Sequence, residues 1–529
     1  MSTTTQSKQP KRSRARKARR SFAPHKPHGV LAPRVQAVGP EHFGVVSVDC
    51  GKHCSDLMLC DFYGNLLLEP TNFEHTKMGF AIAIAQIREA AEKHHLKDLV
   101  IAVERAGNYH LPVKRAFSAA GFECRIVHPF ATKSYRQPAN PGNKTEPTDM
   151  AAIFRAATNG FGLIEQPLEG LWQQLRLFVR HRRDLVRKRS MLCCQIREHL
   201  EACLPGYAAL FDDLWDCATA IPMARRFASA EAIRAAGVEG LLQALRETGV
   251  RSQRSCLTRV VAWTNQAALP DAEAPLHHQI FLRLDDDRVA KTAQITALEG
   301  EIARLLVQTP YVLLLTIVGI NVVSAGEFAG EMGPITHYAN AKAITGRAGL
   351  FPSRSQSGRI DHANGPLIRC ANRSLRAALM MVADNLLKCN QHFKTLAETW
   401  RNIDQDARGT RVKIAVRFSR IGFHMVSGQE VFHHPSLRDR DYLIEKLIKF
   451  HQEHGTPADR ILANLQHAVD QLPKTAYAEE AVPLIKLLEE TRAVKRRGPQ
   501  QLGDLLPLVL AKLGAGALQS TASGERDPD

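Results

Sequence analysis

Apolar residues follow two rhythms along this chain. Phe43 to Cys50 (FGVVSVDC) and Ser55 to Phe62 (SDLMLCDF) are short runs rich in apolar and β-branched residues. Leu66 to Leu68 is a third, after the turn signal Tyr63-Gly64-Asn65, so three strands in a meander are predicted. From His75 to His95 the apolar spacing becomes helical, through Met78, Ile82, Ala85 and Ala90. Leu99 to Val103 then reads as a buried strand, His110 to Ala120 as a helix and Cys124 to Val127 as a strand. A polar loop through Pro138, Pro141 and Gly142 leads into a helix that begins near Pro147.

Beyond this the pattern is helical. Leu171 to about Cys203 predicts a long helix whose face carries Arg176, Arg180, Arg182, Arg183, Arg187, Lys188, Arg189 and Arg197. A second long helix is predicted from about Ala290 to Thr309, with Ile295, Leu298, Ile302 and Leu305 at steps of three and four. Two such helices joined by shorter pieces suggest an antiparallel coiled-coil arm over 166–309, an ordinary bundle being the alternative. A mainly helical region at 310–435 and a helical extension at 436–529 follow, with helices expected near 440–453, 457–471, 477–493 and 502–513 and a disordered end.

Charge changes the picture more than composition does. The 529 residues are 44% hydrophobic and 23% charged, an ordinary globular balance, with no apolar stretch long enough to span a membrane. Net charge is +17, and residues 1–40 hold ten basic residues and no acid. A basic, disordered arm at 1–40 and a basic remainder imply attraction to a polyanion, nucleic acid foremost, although a merely solubilising arm has the same composition. The 11 cysteines are odd in number and scattered, with no CxxC pair, which fits a reducing cytoplasm. Cys50, His53 and Cys54 could be read as metal ligands, but their strand-and-turn setting speaks against it.

The candidate chemistry lies at strand ends. The order β-β-β-α-β-α-β-α is that of a ribonuclease-H-like fold, in which the first and fourth strands are neighbours and the next helix crosses them. Asp49 in the first strand and Glu104 at the end of Leu99 to Val103 are carboxylates where burial is costly. Glu146 and Asp149, three apart at a helix start, can share one face. Four such carboxylates suit a hard cation such as Mg²⁺ and phosphodiester chemistry. Edge acids paired with Lys52 and Lys144 are the structural alternative.

Two further signals fall in 310–435. Leu315 to Asn321, centred on Gly319, reads as a helix-hairpin-helix-like turn able to offer backbone N–H groups to a phosphate, with Asn321 tolerating a left-handed backbone. Gly349 to Arg359 is a polar loop with Ser353, Ser355, Ser357, Arg354 and Arg359, leading to a helix that Asn372 caps and that carries Arg373 and Arg376. A serine becomes nucleophilic only when its proton is removed and the attacked phosphate's charge is offset; a phosphate-binding or solvated loop is the plainer reading.

These motifs together resemble the insertion-sequence one-ten family of transposases, which are DEDD-type recombinases. The likeness is carried by Val48-Asp49-Cys50-Gly51-Lys52, Val103 to Tyr109, Asn143 to Asp149, and Gly349 to Arg376 with Ser357-Gly358, over roughly residues 43–430. It implies a RuvC-like domain at 41–165 and a serine-containing transposase domain at 310–435. It implies Mg²⁺ on Asp49, Glu104, Glu146 and Asp149, and Ser357 as a nucleophile that joins covalently to DNA. Glu146 stands where the family usually has Asp. The resemblance further implies DNA partners (element ends and target), a bridge-type noncoding RNA, a homodimer assembling to a tetramer and a nucleoid-associated bacterial enzyme. RNA and DNA would track Arg176, Arg180, Arg183, Arg187 and Lys188. Rivals are a metal-dependent junction nuclease without a covalent serine, a DNA invertase, and a non-catalytic RNA- or DNA-binding protein.

Overall fold

The computed structural model describes residues 29–139, 142–165, 168, 170–357, 360–362, 365–369, 371–401, 407–429 and 440–472. The chain divides into two compact units, the second beginning at Leu168. The helices expected near 477–493 and 502–513, most of the basic arm, and Arg359 lie outside the described residues.

The first unit runs α1 (Ala32–Val38), β1 (Phe43–Cys50), β2 (Cys54–Asp61), β3 (Leu66–Glu74), α2 (Lys77–Lys93), β4 (Asp98–Glu104), α3 (His110–Ala119), β5 (Cys124–Val127), α4 (Pro129–Ala139), α5 (Glu146–Thr158) and β6 (Gly162–Leu163). Its strands lie in the order β3-β2-β1-β4-β5-β6. β1, β4 and β5 are parallel, while β2 runs antiparallel to β1 and β3, and β6 antiparallel to β5. The central strands are buried on both faces, which is why they read as continuous apolar runs. Val46, Val48, Ile101 and Val103 face one way, onto Ala83, Ile87, Val113 and Phe117 of α2 and α3. Val45, Val100 and Ala102 face the other, onto Leu31 and Val35 of α1, Ala131 of α4, and Ile153 and Ala156 of α5. Side-chain alternation thus assigns each functional residue to a layer.

Three expectations change here. β3 continues to Glu74, paired with β2; the exposed Glu69, Pro70 and Asn72 of this edge strand break the apolar run that marks its start. The expected polar loop contains α4, which opens on Pro129, with His128 Nδ1 accepting the Phe130 N–H at 3.1 Å. The disordered arm does not reach residue 40: Leu31 and Val35 are buried, and Arg34 donates to Asp98 at 2.6 and 2.8 Å and to Glu123 at 2.7 Å. Arg34 therefore belongs to the fold and not to a free basic tail.

The second unit contains α6 (Gly170–Cys203), α7 (Ala220–Arg226), α8 (Ala230–Glu247), α9 (Arg254–Trp263), α10 (Ala274–Leu306), α11 (Val322–Met332), α12 (Ala341–Ala348), β7 (Ser355–Ser357), β8 (Ile360–His362), α13 (Arg373–Cys389), α14 (Gln391–Arg401), α15 (Ala407–Gly428), α16 (Arg440–Glu453) and α17 (Ala458–Asp470). α6 and α10 pack antiparallel along about 50 Å. At one end Ile196 and Leu200 of α6 meet Phe281 of α10 in a core closed by α7 to α9. At the other, Leu175 and Val179 of α6 meet Ile302 and Leu305 of α10 in a core shared with α11 to α17. α10 starts at Ala274, well before the expected start near Ala290; His277, His278 and the run Asp285-Asp286-Asp287 interrupt the apolar pattern of its first turns. The expected boundaries near 309 and 435 therefore cut through one core: Leu443, Ile444, Leu447, Ile461 and Leu465 of α16 and α17 lie in it with Tyr311 and Phe328.

α16 and α17 carry a pH-sensitive lock. His451 is buried, its Nε2 3.1 Å from Asn464 Nδ2 and its Nδ1 3.1 Å from Thr456 Oγ1. Because an amide nitrogen only donates, Nε2 accepts and the ring is neutral with its proton on Nδ1. Burial and the neighbouring His454 push His451 down to about 4. The unfolded chain binds this proton below its ordinary value near 6.5, so the stability contributed falls as pH drops from about 6.5 to about 4, by about 3 kcal/mol in all. His451→Gln, which has no proton to gain, is expected to flatten the pH dependence of the melting temperature over that window. An unchanged slope would show that His451 is not held neutral.

Candidate active site

Three of the four predicted acids, Asp49, Glu104 and Asp149, are close enough in the first unit to act on one another electrostatically. Val48 of β1 pairs with Val103 of β4, so Asp49 and Glu104 are the next residues on adjacent parallel strands. Both lie on the sheet face of Val45, Val100 and Ala102, the one that α4 and α5 cover. α5 starts beneath them: Thr148 Oγ1 accepts the Thr145 N–H at 2.9 Å, and Asp149, one turn in, is buried. Glu146, the first residue of α5, is exposed, and no interaction with the other three acids is seen.

The group is electrostatically strained. Burial raises Asp49 above the usual carboxylate range, Asp149 and Asp56 add repulsion, and Lys144 and the Cys50 N–H act against it. Glu104 is pushed up to about 7 by burial and then by Asp49, with Asp149 adding to it and Thr132 and Arg136 opposing. The buried Thr132 hydroxyl lies near enough to favour the charged carboxylate but does not close a hydrogen bond. Asp149 is ion-paired with Arg136 of α4. Sequence reasoning missed Asp56, Thr132 and Arg136. Asp56 follows from hairpin register, since Asp49 pairs with it across β1 and β2; the other two follow only once α4 is seen as a helix, four residues apart on one face.

Clustered, half-buried oxygen donors suit a hard divalent cation, which would relieve their repulsion. In this conformation, among the described residues, no three acidic, histidine or cysteine side chains converge closely enough to hold an ion. The donor chemistry fits the cation, then, while Asp149 is engaged by Arg136.

In the second unit the polar loop is a β-hairpin. Gly349 ends α12 in the left-handed region (φ 63°) with Arg376 and Ala371 where a Cβ would stand, so glycine is required. The strands then pair through Ile368 N–H to Phe351 O (3.3 Å) and Ser353 N–H to Pro366 O (2.9 Å), and onward through β7 and β8. Ser357 is the last residue of β7, opposite Ile360 across a two-residue connection. Asn372 caps α13, accepting the Leu375 N–H at 3.0 Å as the sequence predicts.

A DEDD-type IS110 transposase model matches residues 46–205, and a model described as "Transposase IS116/IS110/IS902 family" matches residues 311–398. The first span carries the acids and the second the serine hairpin. The chain belongs to the IS110 family of transposases. It is also 27% identical over 229 residues to the insertion element IS116 uncharacterized 44.8 kDa protein of Streptomyces clavuligerus, over 41% of this chain and 54% of the relative. The chain thus spans about half the length of the curated relative it matches.

In this IS110-family chain many of the expected nucleic-acid arginines serve the fold. Arg180 grips Glu331 of α11 with two hydrogen bonds, at 2.9 and 3.0 Å. Arg176 donates to the Gly330 and Glu331 carbonyls at 3.0 and 3.1 Å. Arg182 and Arg183 share Glu327, both at 2.9 Å. Arg376 ties the Ala348, Gly349 and Ile368 carbonyls together at the base of the serine hairpin. Arg354, Arg373 and Lys188 are exposed, and Arg187 makes only an exposed pair with Asp184 at 3.3 Å. The apolar face of α6 is periodic, but the counter-ions lie more than a hundred residues away, which no local pattern reveals.

The Gly319 turn is also built differently from its expectation. Gly319 has φ +97° with the Asn385 carbonyl oxygen 3.0 Å from where a Cβ would stand. Asn321 is extended (φ −107°) and caps α11 by accepting the Ser324 N–H at 2.8 Å, so it is not a left-handed stand-in for glycine. Lys446 Nζ donates to the Leu315, Ile317 and Ile320 carbonyls at 2.8, 3.0 and 2.6 Å.

Glu331 joins these parts, since Asn372 Nδ2 also donates to it at 3.4 Å. Burial alone would raise its pKa; Arg180's hydrogen bonds and the charges of Arg180 and Arg176 outweigh this and hold it below the usual range. Glu331→Gln is expected to destabilise the second unit by about 1–3 kcal/mol: the buried carboxylate's charge-assisted hydrogen bonds are lost, while water reaches the half-exposed Arg180 and compensates part of the cost. Urea titration checks this, and a loss under about 1 kcal/mol would show the pair to be solvated.

Proposed function

We propose that the chain is a DNA recombinase that cleaves and rejoins the strands of its own mobile element, using a Mg²⁺-binding acidic site and Ser357 as nucleophile. The observation that carries it is the mutual electrostatic influence of Asp49, Glu104 and Asp149 in the first family-matched span of a chain whose second such span holds the serine hairpin. The strand order, with β1 between β2 and a parallel β4, supports reading the first unit as ribonuclease-H-like. Asp49, Glu104 and Asp149 would hold the ion, with Glu146 available from the exposed first turn of α5. Bound there, Mg²⁺ supplies charge stabilisation for phosphodiester exchange.

The chain's own residues do the rest. The Ser357 Oγ–phosphorus bond forms as a phosphorus–sugar oxygen bond breaks; the hydroxyl proton leaves to a base and a proton caps the departing sugar oxygen. Phosphate charge is offset by exposed cations such as Arg354 and Arg373, while Arg187 and Lys188 contact the backbone. A bridge-type RNA guide and assembly from dimer to tetramer are part of this reading through family likeness alone.

The test uses protein purified from cells that carry the gene with its flanking DNA. It is incubated with duplex bearing the element ends, with Mg²⁺ or EDTA, and run on denaturing gels; co-purified RNA is sequenced. A Mg²⁺-dependent protein–DNA adduct is expected, with a discrete flank-encoded RNA. Cleaved ends without attached protein would instead identify a hydrolytic nuclease, and binding without cleavage a non-catalytic protein.

A further inference from the structure

Asp149 is the most enclosed of the three neighbouring acids, its side chain 6% exposed, and its bound cation is Arg136, itself 15% exposed. Neither group sits where water can stand in for the other. Arg136 comes from α4 and Asp149 from α5, two helices on the same face of the sheet. A guanidinium does not lose its proton, so this is a fixed positive charge inside the acid group. Among the described residues Asp49 and Glu104 have no such ion-paired partner: Lys144 acts on Asp49 and Arg136 on Glu104 only through space. A divalent ion shared by the three acids would compete with Arg136 for Asp149, whose Oδ1 accepts the guanidinium N–H, and the two cations would repel one another. This accounts for acids that neighbour one another without converging on a point.

We propose that Arg136 is a resident counter-ion of the acidic site, holding Asp149 in the metal-free protein and giving way when a divalent cation takes that carboxylate. Metal binding is then an exchange of cations, weaker than the acids alone would give, and α4 must shift or Arg136 must change rotamer as the site loads. The inference rests on reading Asp49, Glu104 and Asp149 as a metal site.

The test measures Mn²⁺ binding to the full chain without nucleic acid, through the electron paramagnetic resonance signal of free Mn²⁺ and the melting temperature with and without the ion. Arg136→Gln is expected to bind Mn²⁺ about tenfold tighter or more than wild type, since a unit charge a few ångströms from the ion is removed. Without the ion it is expected to melt below wild type, because Asp149 is left enclosed and unpaired, and to regain more on adding Mn²⁺. Arg136→Lys keeps the charge but loses the planar fork and is expected to fall between the two. If Arg136→Gln does not fold, Arg136→Lys decides: affinity no higher than wild type overturns the exchange. Equal or weaker Mn²⁺ affinity in Arg136→Gln overturns it while leaving the metal site standing. Absence of binding in wild type and both variants, indistinguishable from Asp149→Asn, overturns the metal site and the exchange together.

Discussion

Ser357→Ala is expected to abolish the protein–DNA adduct and to reduce strand exchange by about a thousandfold or more, while DNA binding and the melting temperature stay near wild type. Covalent catalysis through a single hydroxyl has no substitute once the oxygen is gone, so the effect belongs to the chemical step. The backbone sets the contrast with its two neighbours. Ser353 is fixed at the base of the hairpin, its N–H on Pro366 and its carbonyl accepting from Gly365 at 3.0 Å. Ser355 lies within β7, opposite His362. Ser357 is the residue at the strand's end, next to the two-residue connection. Ser353→Ala and Ser355→Ala are therefore expected to keep the adduct, alanine preserving the main-chain hydrogen bonds that hold position 353. An adduct that survives Ser357→Ala but vanishes in Ser355→Ala would move the nucleophile by one pleat; one that survives all three would remove serine chemistry altogether.

The legible parts of this molecule are those whose pattern is local. β1, β4 and β5 announce themselves because central parallel strands are buried on both faces, and Asp49 and Glu104 stand out as carboxylates ending such runs. The Asn372 cap is legible for the same reason, since it is satisfied three residues away. What stays hidden is set by partners distant in sequence. Arg176 and Arg180 look like a free basic face until Glu331 is seen against them, about 150 positions on. Arg136 looks like one more solvated cation in a polar loop, and only the helix α4 carries it to Asp149. Glu146 shows the opposite failure: its i, i+3 spacing to Asp149 is right for a shared face, yet the first turn of α5 leaves it exposed.

Asp49→Asn is expected to cut Mg²⁺-dependent strand cleavage by about a thousandfold or more and, at the same time, to raise the melting temperature of the metal-free protein. The first effect follows from replacing a charged oxygen ligand on the strand that positions the site. The second follows from the surroundings of that carboxylate. Its charged form is disfavoured by burial and by Asp149 and Asp56, with only Lys144 and the Cys50 N–H in its favour. An acid whose folded pKa lies above its unfolded value stabilises the fold at low pH and loses that contribution as pH rises through the folded pKa, so at neutral pH the ionised Asp49 is a cost. Asparagine keeps the size and an oxygen for the Cys50 N–H while removing the charge. A gain of about 2–4 °C is expected. Calorimetry of wild type and variant in EDTA checks the gain, and the cleavage assay in Mg²⁺ checks the loss. Function and stability moving in opposite directions would mark Asp49 as a residue held in place at the fold's expense for a cation. A variant that cleaves normally would strip it of that role, and one that melts lower would show that the β1 end is stabilised by the very charge the site is built around.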